Sequence, residues 1–147
     1  MLKGVNPLLG PELLYALARM GHGDELAVVD TNYPAYAAGA EVVRLDGVDS
    51  TEAIRAITSV MPLDQFLTSP LRYMIGTPGE DRRVVAQDAV ETVAVAEGRQ
   101  VGAAPIHRLD FYEVARSVRL VVATGETRPY GCFLLTKGVW PDLHPGD

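Results

Sequence analysis

The stretch Pro11-Glu12-Leu13-Leu14-Tyr15-Ala16-Leu17-Ala18-Arg19-Met20-Gly21-His22-Gly23-Asp24-Glu25-Leu26-Ala27-Val28-Val29-Asp30 decides the fold class, because it contains a helix, a turn and a strand in immediate succession. Leu13, Leu14, Leu17 and Met20 recur at helical spacings, Pro11 suits a first helical position, and Gly21 closes the segment. Leu26 to Val29 is a short, β-branched, apolar run of the kind buried on both faces of a sheet. It ends at Asp30, and Asn32-Tyr33-Pro34 then reads as a loop.

The same reading extends along the chain. Glu41-Val42-Val43-Arg44-Leu45 predicts a second strand, and Ser50-Thr51 introduce a helix with apolar positions at Ile54, Ile57 and Val60. Leu71 to Ile75 predicts another strand, and Gly76-Thr77-Pro78-Gly79 a turn into a long helix from about Asp81 to Glu97, ended by Gly98. A short strand is expected around Ile106, then a short helix capped by Asp110 and running through Arg116. Leu120-Val121-Val122-Ala123 and Phe133-Leu134-Leu135, separated by Gly125-Glu126-Thr127-Arg128-Pro129, suggest neighbouring strands. Irregular alternation of helix and strand predicts a single α/β domain over residues 1–140, a sheet with helices on both faces, followed by a tail over 141–147.

Composition narrows the function classes. The chain has 147 residues, 48% hydrophobic and 22% charged, which suits one globular core and excludes a disordered or collagen-like chain. Thirteen Lys and Arg against nineteen Asp and Glu give a formal charge of −6 without a basic run, which argues against nucleic acid and anionic membranes as partners. Cys132 is the only cysteine, so no intrachain disulfide or multi-cysteine metal site is available, and a reducing, cytoplasmic setting fits. No H-E-x-x-H, paired His-x-His or phosphate-binding G-x-x-x-x-G-K-[ST] element occurs, so neither a metal nor nucleotide hydrolysis is expected; His22, Asp24, His107 and His144 are too scattered to make a ligand set.

Several residues carry chemistry or a plainer structural role. His22 lies between Gly21 and Gly23; a histidine exchanges protons near neutral pH, yet a turn histidine bonded to backbone fits equally. Asp30 ends an apolar strand, where α/β sheets collect ligand-binding groups, while an Asx turn into Pro34 is the competing reading. Arg108 can bond sugar hydroxyls or form a surface ion pair, and Tyr130 can line a sugar pocket or serve as a strand aromatic. Cys132 fits a packed, inert thiol better than a nucleophile.

Taken together, Met1-Leu2-Lys3, Pro11-Glu12-Leu13-Leu14, Met20 through Glu25, Asp30, Pro34, Arg108, Phe111-Tyr112-Glu113, Thr124-Gly125-Glu126, Tyr130-Gly131 and Lys137-Gly138-Val139 resemble the monosaccharide mutarotase and pyranase family, nearly end to end and in order. The resemblance implies a cytoplasmic α/β protein that binds a monosaccharide, interconverts its α and β anomers without cofactor, and assembles as a homo-oligomer built from rings, commonly a decamer. It places the family's acid histidine on His22, and its sugar-binding residues on Asp30, Arg108, Tyr130, Gly131 and Cys132. Two positions depart from the fucose-type pattern. Cys132 stands where that pattern has asparagine, and Tyr36 where it has a further histidine, which bear on the preferred sugar more than on the chemistry. A sugar-binding accessory protein without efficient turnover and a ribose pyranase are the alternatives.

Overall fold

The computed structural model describes residues 1–141. The predicted tail is therefore described only at Pro141, and His144 lies outside the described residues. Helix α1 (Pro11–Arg19) leads through the His22 turn into β1 (Glu25–Val29). Then follow β2 (Glu41–Leu45), α2 (Ser50–Thr58), β3 (Leu71–Ile75), α3 (Val84–Glu97), β4 (Ala103–His107), α4 (Arg108–Ala115), β5 (Leu120–Thr124) and β6 (Phe133–Thr136).

The strands form one sheet in the order β2-β5-β1-β6-β3-β4. β2, β5 and β1 run parallel, β3 and β4 run parallel, and β6 joins the two sets by pairing antiparallel with β1 and β3. The largely apolar strands β1, β5 and β6 take the middle, where both faces are covered. On one face α1, α2 and α3 pack Leu13, Leu17, Ile54, Ile57, Val85 and Val93 against Leu26, Val28, Leu120, Val122, Phe133 and Leu135. On the other, Phe111 and Ala115 of α4 and the loop at Ala35 cover Ala27, Val29, Val121, Ala123 and Leu134. Each central strand thus splits its alternate residues between two cores, as the two-residue period of a strand requires.

Four sequence expectations need correction. β5 and β6 are not neighbours, because β1 lies between them; residues 125–132 are too long for a tight hairpin and carry the chain over the C-terminal end of β1. α3 starts at Val84 instead of near Asp81, because Glu80 is committed to the preceding turn, accepting Thr77 N at 3.1 Å and Arg83 Nε at 3.0 Å. α4 is capped by His107, whose Nδ1 accepts Leu109 N at 3.4 Å, while Asp110 sits inside the first turn. α2 is capped by Asp49, which accepts Glu52 N at 2.8 Å, and it ends at Thr58, so Val60 falls beyond it and stays exposed. That end follows from Thr58 and Ser59 turning their hydroxyls back onto the Ile54 and Ala56 carbonyls.

Candidate functional site

Strand β1 has a functional candidate at each end. At its C-terminal end the chain turns at Asp30, whose Oδ1 accepts Asn32 N at 3.0 Å, so the Asx turn read from the sequence forms. The loop after β5 crosses here and brings Pro129, Tyr130 and Cys132 beside Asp30; Asp30 N points at Cys132 Sγ at 3.5 Å. Arg108, at the start of α4, and Tyr112, one turn later, close the opposite side, with the guanidinium 6.0 Å from the Tyr112 ring centroid. Asp30, Asn32, Tyr33, Met74, Arg108, Tyr112, Pro129, Tyr130 and Cys132 line one cavity of about 230 Å³.

The walls of this cavity mix charge, hydroxyl and apolar surface. Tyr33 packs its ring on Phe111 and Tyr112 at 5.6 and 5.5 Å, and its phenol is pushed up to about 12, by burial first and then by nearby Cys132 and Tyr112. It therefore stays protonated and able to donate at neutral pH. Burial, reinforced by the charge of Asp30, pushes the Cys132 thiol well above its ordinary range, so this sulfur is packed and not a thiolate nucleophile. Gly131 is absent from the lining: it stands behind the wall, its carbonyl accepting Ser50 Oγ at 2.7 Å.

The N-terminal end of β1 is built differently. Gly23, at φ +84°, takes a left-handed backbone that a side chain would strain. Its N–H donates to the Lys137 carbonyl at 2.9 Å, and Asp24 Oδ2 accepts Gly21 N at 2.8 Å. Lys137 Nζ donates to the Leu17 and Met20 carbonyls, tying the end of α1 to the same turn. Held this way, His22 sets Nε2 3.1 Å from Oδ1 of Asp64, a carboxylate only 4% exposed, while its own side chain is 47% exposed. The Phe66 ring stands 5.5 Å away and is exposed beside the imidazole.

The structure therefore gathers Asp30, Arg108, Tyr130 and Cys132 around one cavity and leaves His22 at the far end of the strand. The five residues of β1 alone separate the two ends by about 13 Å, at roughly 3.3 Å per residue. Sequence reading missed Asp64, Tyr33, Tyr112, Met74 and Pro129. Asp64 carries no local signal, since it lies 42 positions from His22 and meets it only through the fold. Tyr33 and Tyr112 sit within stretches already noted, but only the cross-chain packing reveals that they face the same space. Among the described residues, no group of three or more His, Cys, Asp or Glu side chains is placed to hold a metal ion. No helix among them is long and apolar enough to cross a membrane.

Comparison with known proteins agrees with this architecture. Residues 3–140 match the RbsD / FucU transport protein family, and the chain belongs to that family. It is 43% identical over 145 residues to the fucose mutarotase of Homo sapiens, covering 94% of each chain. It is 39% identical over 142 residues to the L-fucose mutarotase of Histophilus somni (strain 2336), covering 96% of this chain and 99% of that one. Among solved structures, the fucose mutarotase of Streptococcus pneumoniae in complex with L-fucose matches with a TM-score of 0.86 at 33% identity, over 94% of this chain and 99% of that one.

Proposed function

We propose that the protein is a cytoplasmic monosaccharide mutarotase, interconverting the α and β anomers of L-fucose or a related sugar by acid–base ring opening without a cofactor. The observation that carries this reading is the convergence of Asp30, Arg108 and Tyr130 on one cavity in a chain whose relatives are named fucose mutarotases. Asp30 uses Oδ1 for the Asn32 turn, which leaves Oδ2 for a sugar hydroxyl. Arg108 offers several donors to neighbouring hydroxyls, and the aromatic rings of Tyr130 and Tyr112 suit the C–H face of a pyranose.

The chemistry asks for one acid and one base. His22 protonates the ring oxygen while Asp30 accepts the anomeric hydroxyl proton; the bond from C1 to the ring oxygen breaks and the open aldehyde forms. Rotation about C1–C2 and reclosure on the other face returns both protons. Asp64 holds the Nε2 side of the imidazole, so Nδ1 is the atom that faces the sugar. Such assistance contributes roughly 10²- to 10⁴-fold.

The separation along β1 supports a reading in which His22 reaches the cavity of a neighbouring copy. We therefore read the active form as a homo-oligomer built from rings, with a decamer expected. The exposed Phe66 beside His22 supplies apolar surface for that contact.

Saturation-transfer proton NMR on the anomeric signals of L-fucose, repeated with D-ribose and D-galactose, tests the reading. Protein-dependent transfer between the α and β signals of fucose is expected. Absence of transfer with all three sugars, from a folded sample that binds them, overturns it in favour of a binding role.

A further inference from the structure

We propose that Glu126 is a positioning residue for the sugar cavity: it locks the Arg128–Cys132 turn so that Tyr130 is held in a left-handed backbone and aimed into the site. This rests on the mutarotase reading for its activity readout, but its geometry stands independently.

Glu126 does not line the cavity, yet it is a carboxylate only 2% exposed. Such a group is costly to bury unless its oxygens are satisfied. Here each oxygen takes two donors. Oε1 accepts Arg128 N at 2.8 Å and Arg128 Nε at 3.0 Å; Oε2 accepts Arg128 Nη2 at 2.9 Å and Ser50 N, at the start of α2, at 3.2 Å. Burial alone would push this carboxyl up, but the Arg128 side chain, Arg128 N and Ser50 N together hold it below its ordinary value. Arg128 then reaches on to Asp88 of α3 at 2.7 Å.

The consequence is felt two residues later. Tyr130 has φ +60°, a conformation that a bulky side chain adopts only when its surroundings impose it. Its ring lies against Gly76, where a Cβ would come within 2.7 Å of Cζ and Oη, and 4.6 Å below the Arg83 guanidinium. Gly131 is required by the same device, since a Cβ there would meet Glu126 Cγ at 2.5 Å. Ser50, gripped by Glu126 at its N–H, uses its hydroxyl to hold the Gly131 carbonyl. The carboxylate is thus the hub from which the backbone on both sides of Tyr130 is fixed.

The test uses the full chain with Glu126→Gln, Arg128→Ala, their double variant, and Val93→Ala as a destabilised control in α3. Anomer exchange of L-fucose is measured well below each melting temperature, and the Tyr130 ring carbons are followed in 13C-tyrosine samples assigned with Tyr130→Phe. Glu126→Gln is expected to raise KM roughly tenfold or more with a much smaller change in kcat, as displacement of a binding wall should. Arg128→Ala should do the same, and the double variant no more than either, because both remove one device. The Tyr130 signal should move in each of the three and stay in place in Val93→Ala. An unmoved Tyr130 signal in folded Glu126→Gln, or a KM change reproduced by Val93→Ala at matched stability, overturns the proposal. A moved Tyr130 signal in a protein whose wild type exchanges no sugar overturns the mutarotase reading instead and leaves the positioning role standing.

Discussion

The two ends of strand β1 solve opposite problems. At the C-terminal end, segments from Asp30, Arg108 and Tyr130, separated by most of the chain, close around a cavity whose shape is set by buried packing. At the N-terminal end a short turn presents one half-exposed imidazole, oriented by a single buried carboxylate. On the proposed reading the enclosed end binds the sugar and the open end supplies the acid. A strand is stiff and of fixed length, so on that reading the two ends meet only between copies of the chain.

The largest effect expected on this contrast comes from His22→Ala. It should leave the fold nearly intact, because the turn is held by backbone bonds through Gly23, Asp24 and Lys137, and lower anomer exchange by roughly 10²- to 10⁴-fold. Mixing dissociated and reassembled His22→Ala with Arg108→Ala should restore part of the activity, since some sites then draw an intact His22 and an intact Arg108 from different copies. Mixed assemblies as inactive as their parents would break the idea that the ends meet across copies. Arg108→Ala by itself removes charge-assisted hydrogen bonds of about 1.5–3 kcal/mol and should show mainly as a raised KM in substrate titrations.

A smaller effect probes the acid end alone. Asp64→Asn keeps the size of the side chain but replaces the charged acceptor of Nε2–H by a neutral amide, which withdraws the counter-charge from the imidazolium that must donate Nδ1–H to the ring oxygen. Exchange should fall about tenfold or more, in kcat more than in KM, and the pH profile of kcat should shift. A profile identical to the wild type would show that Asp64 merely satisfies the backbone of Phe66, whose N–H it accepts at 3.1 Å.

Legibility differed between the same two ends. The helix–turn–strand around His22 is local: periodic leucines, glycine punctuation and a β-branched run lie within one stretch, so each element and its order follow from short-range rules. The cavity depends on which strands adjoin, and that is a long-range choice. Two apolar runs joined by a loop read as neighbours, but the sheet inserts β1 between them, and it is this insertion that lays Tyr130 and Cys132 over the end of β1 beside Asp30. The burial of Asp64 and Glu126 was not legible for a related reason. An acidic residue in a loop reads as solvated, and nothing in the neighbouring sequence announces that the fold will bury it against a histidine or an arginine.

Packing behind the cavity gives a further, purely structural test. Gly131→Ala forces a methyl into the space of Glu126 Cγ, where the carboxylate is pinned by four donors and cannot step aside. The expected loss is about 1–3 kcal/mol in chemical denaturation, as for overpacking of a rigid site. The corresponding Gly21→Ala at the other end has its nearest neighbour, Asp24 Oδ2, at 3.8 Å, so it should cost much less. Equal losses at the two positions would contradict the difference in enclosure drawn between the ends.

The smallest effect is a dependence of stability on acid, and it too differs between the ends. Both turns use a carboxylate held below its ordinary value. In Asp24 the Gly21 N–H contributes most, burial opposes it, and Arg119 and Lys137 add to the lowering; in Glu126 burial is the largest single effect, and the Arg128 and Ser50 donors together overcome it. A depressed folded value means that stability is fully present above the unfolded value and is lost as pH falls through the folded one. The decline should therefore begin as pH drops below the ordinary glutamate value of 4.5 and steepen past the aspartate value of 3.8. Denaturation midpoints followed from pH 7 downward should show this slope, flattened clearly by Glu126→Gln and only slightly by Asp24→Asn. The reason is exposure: the Asp24 bonds compete with water and salt, whereas Glu126, once protonated, loses acceptor capacity inside a site that water does not reach.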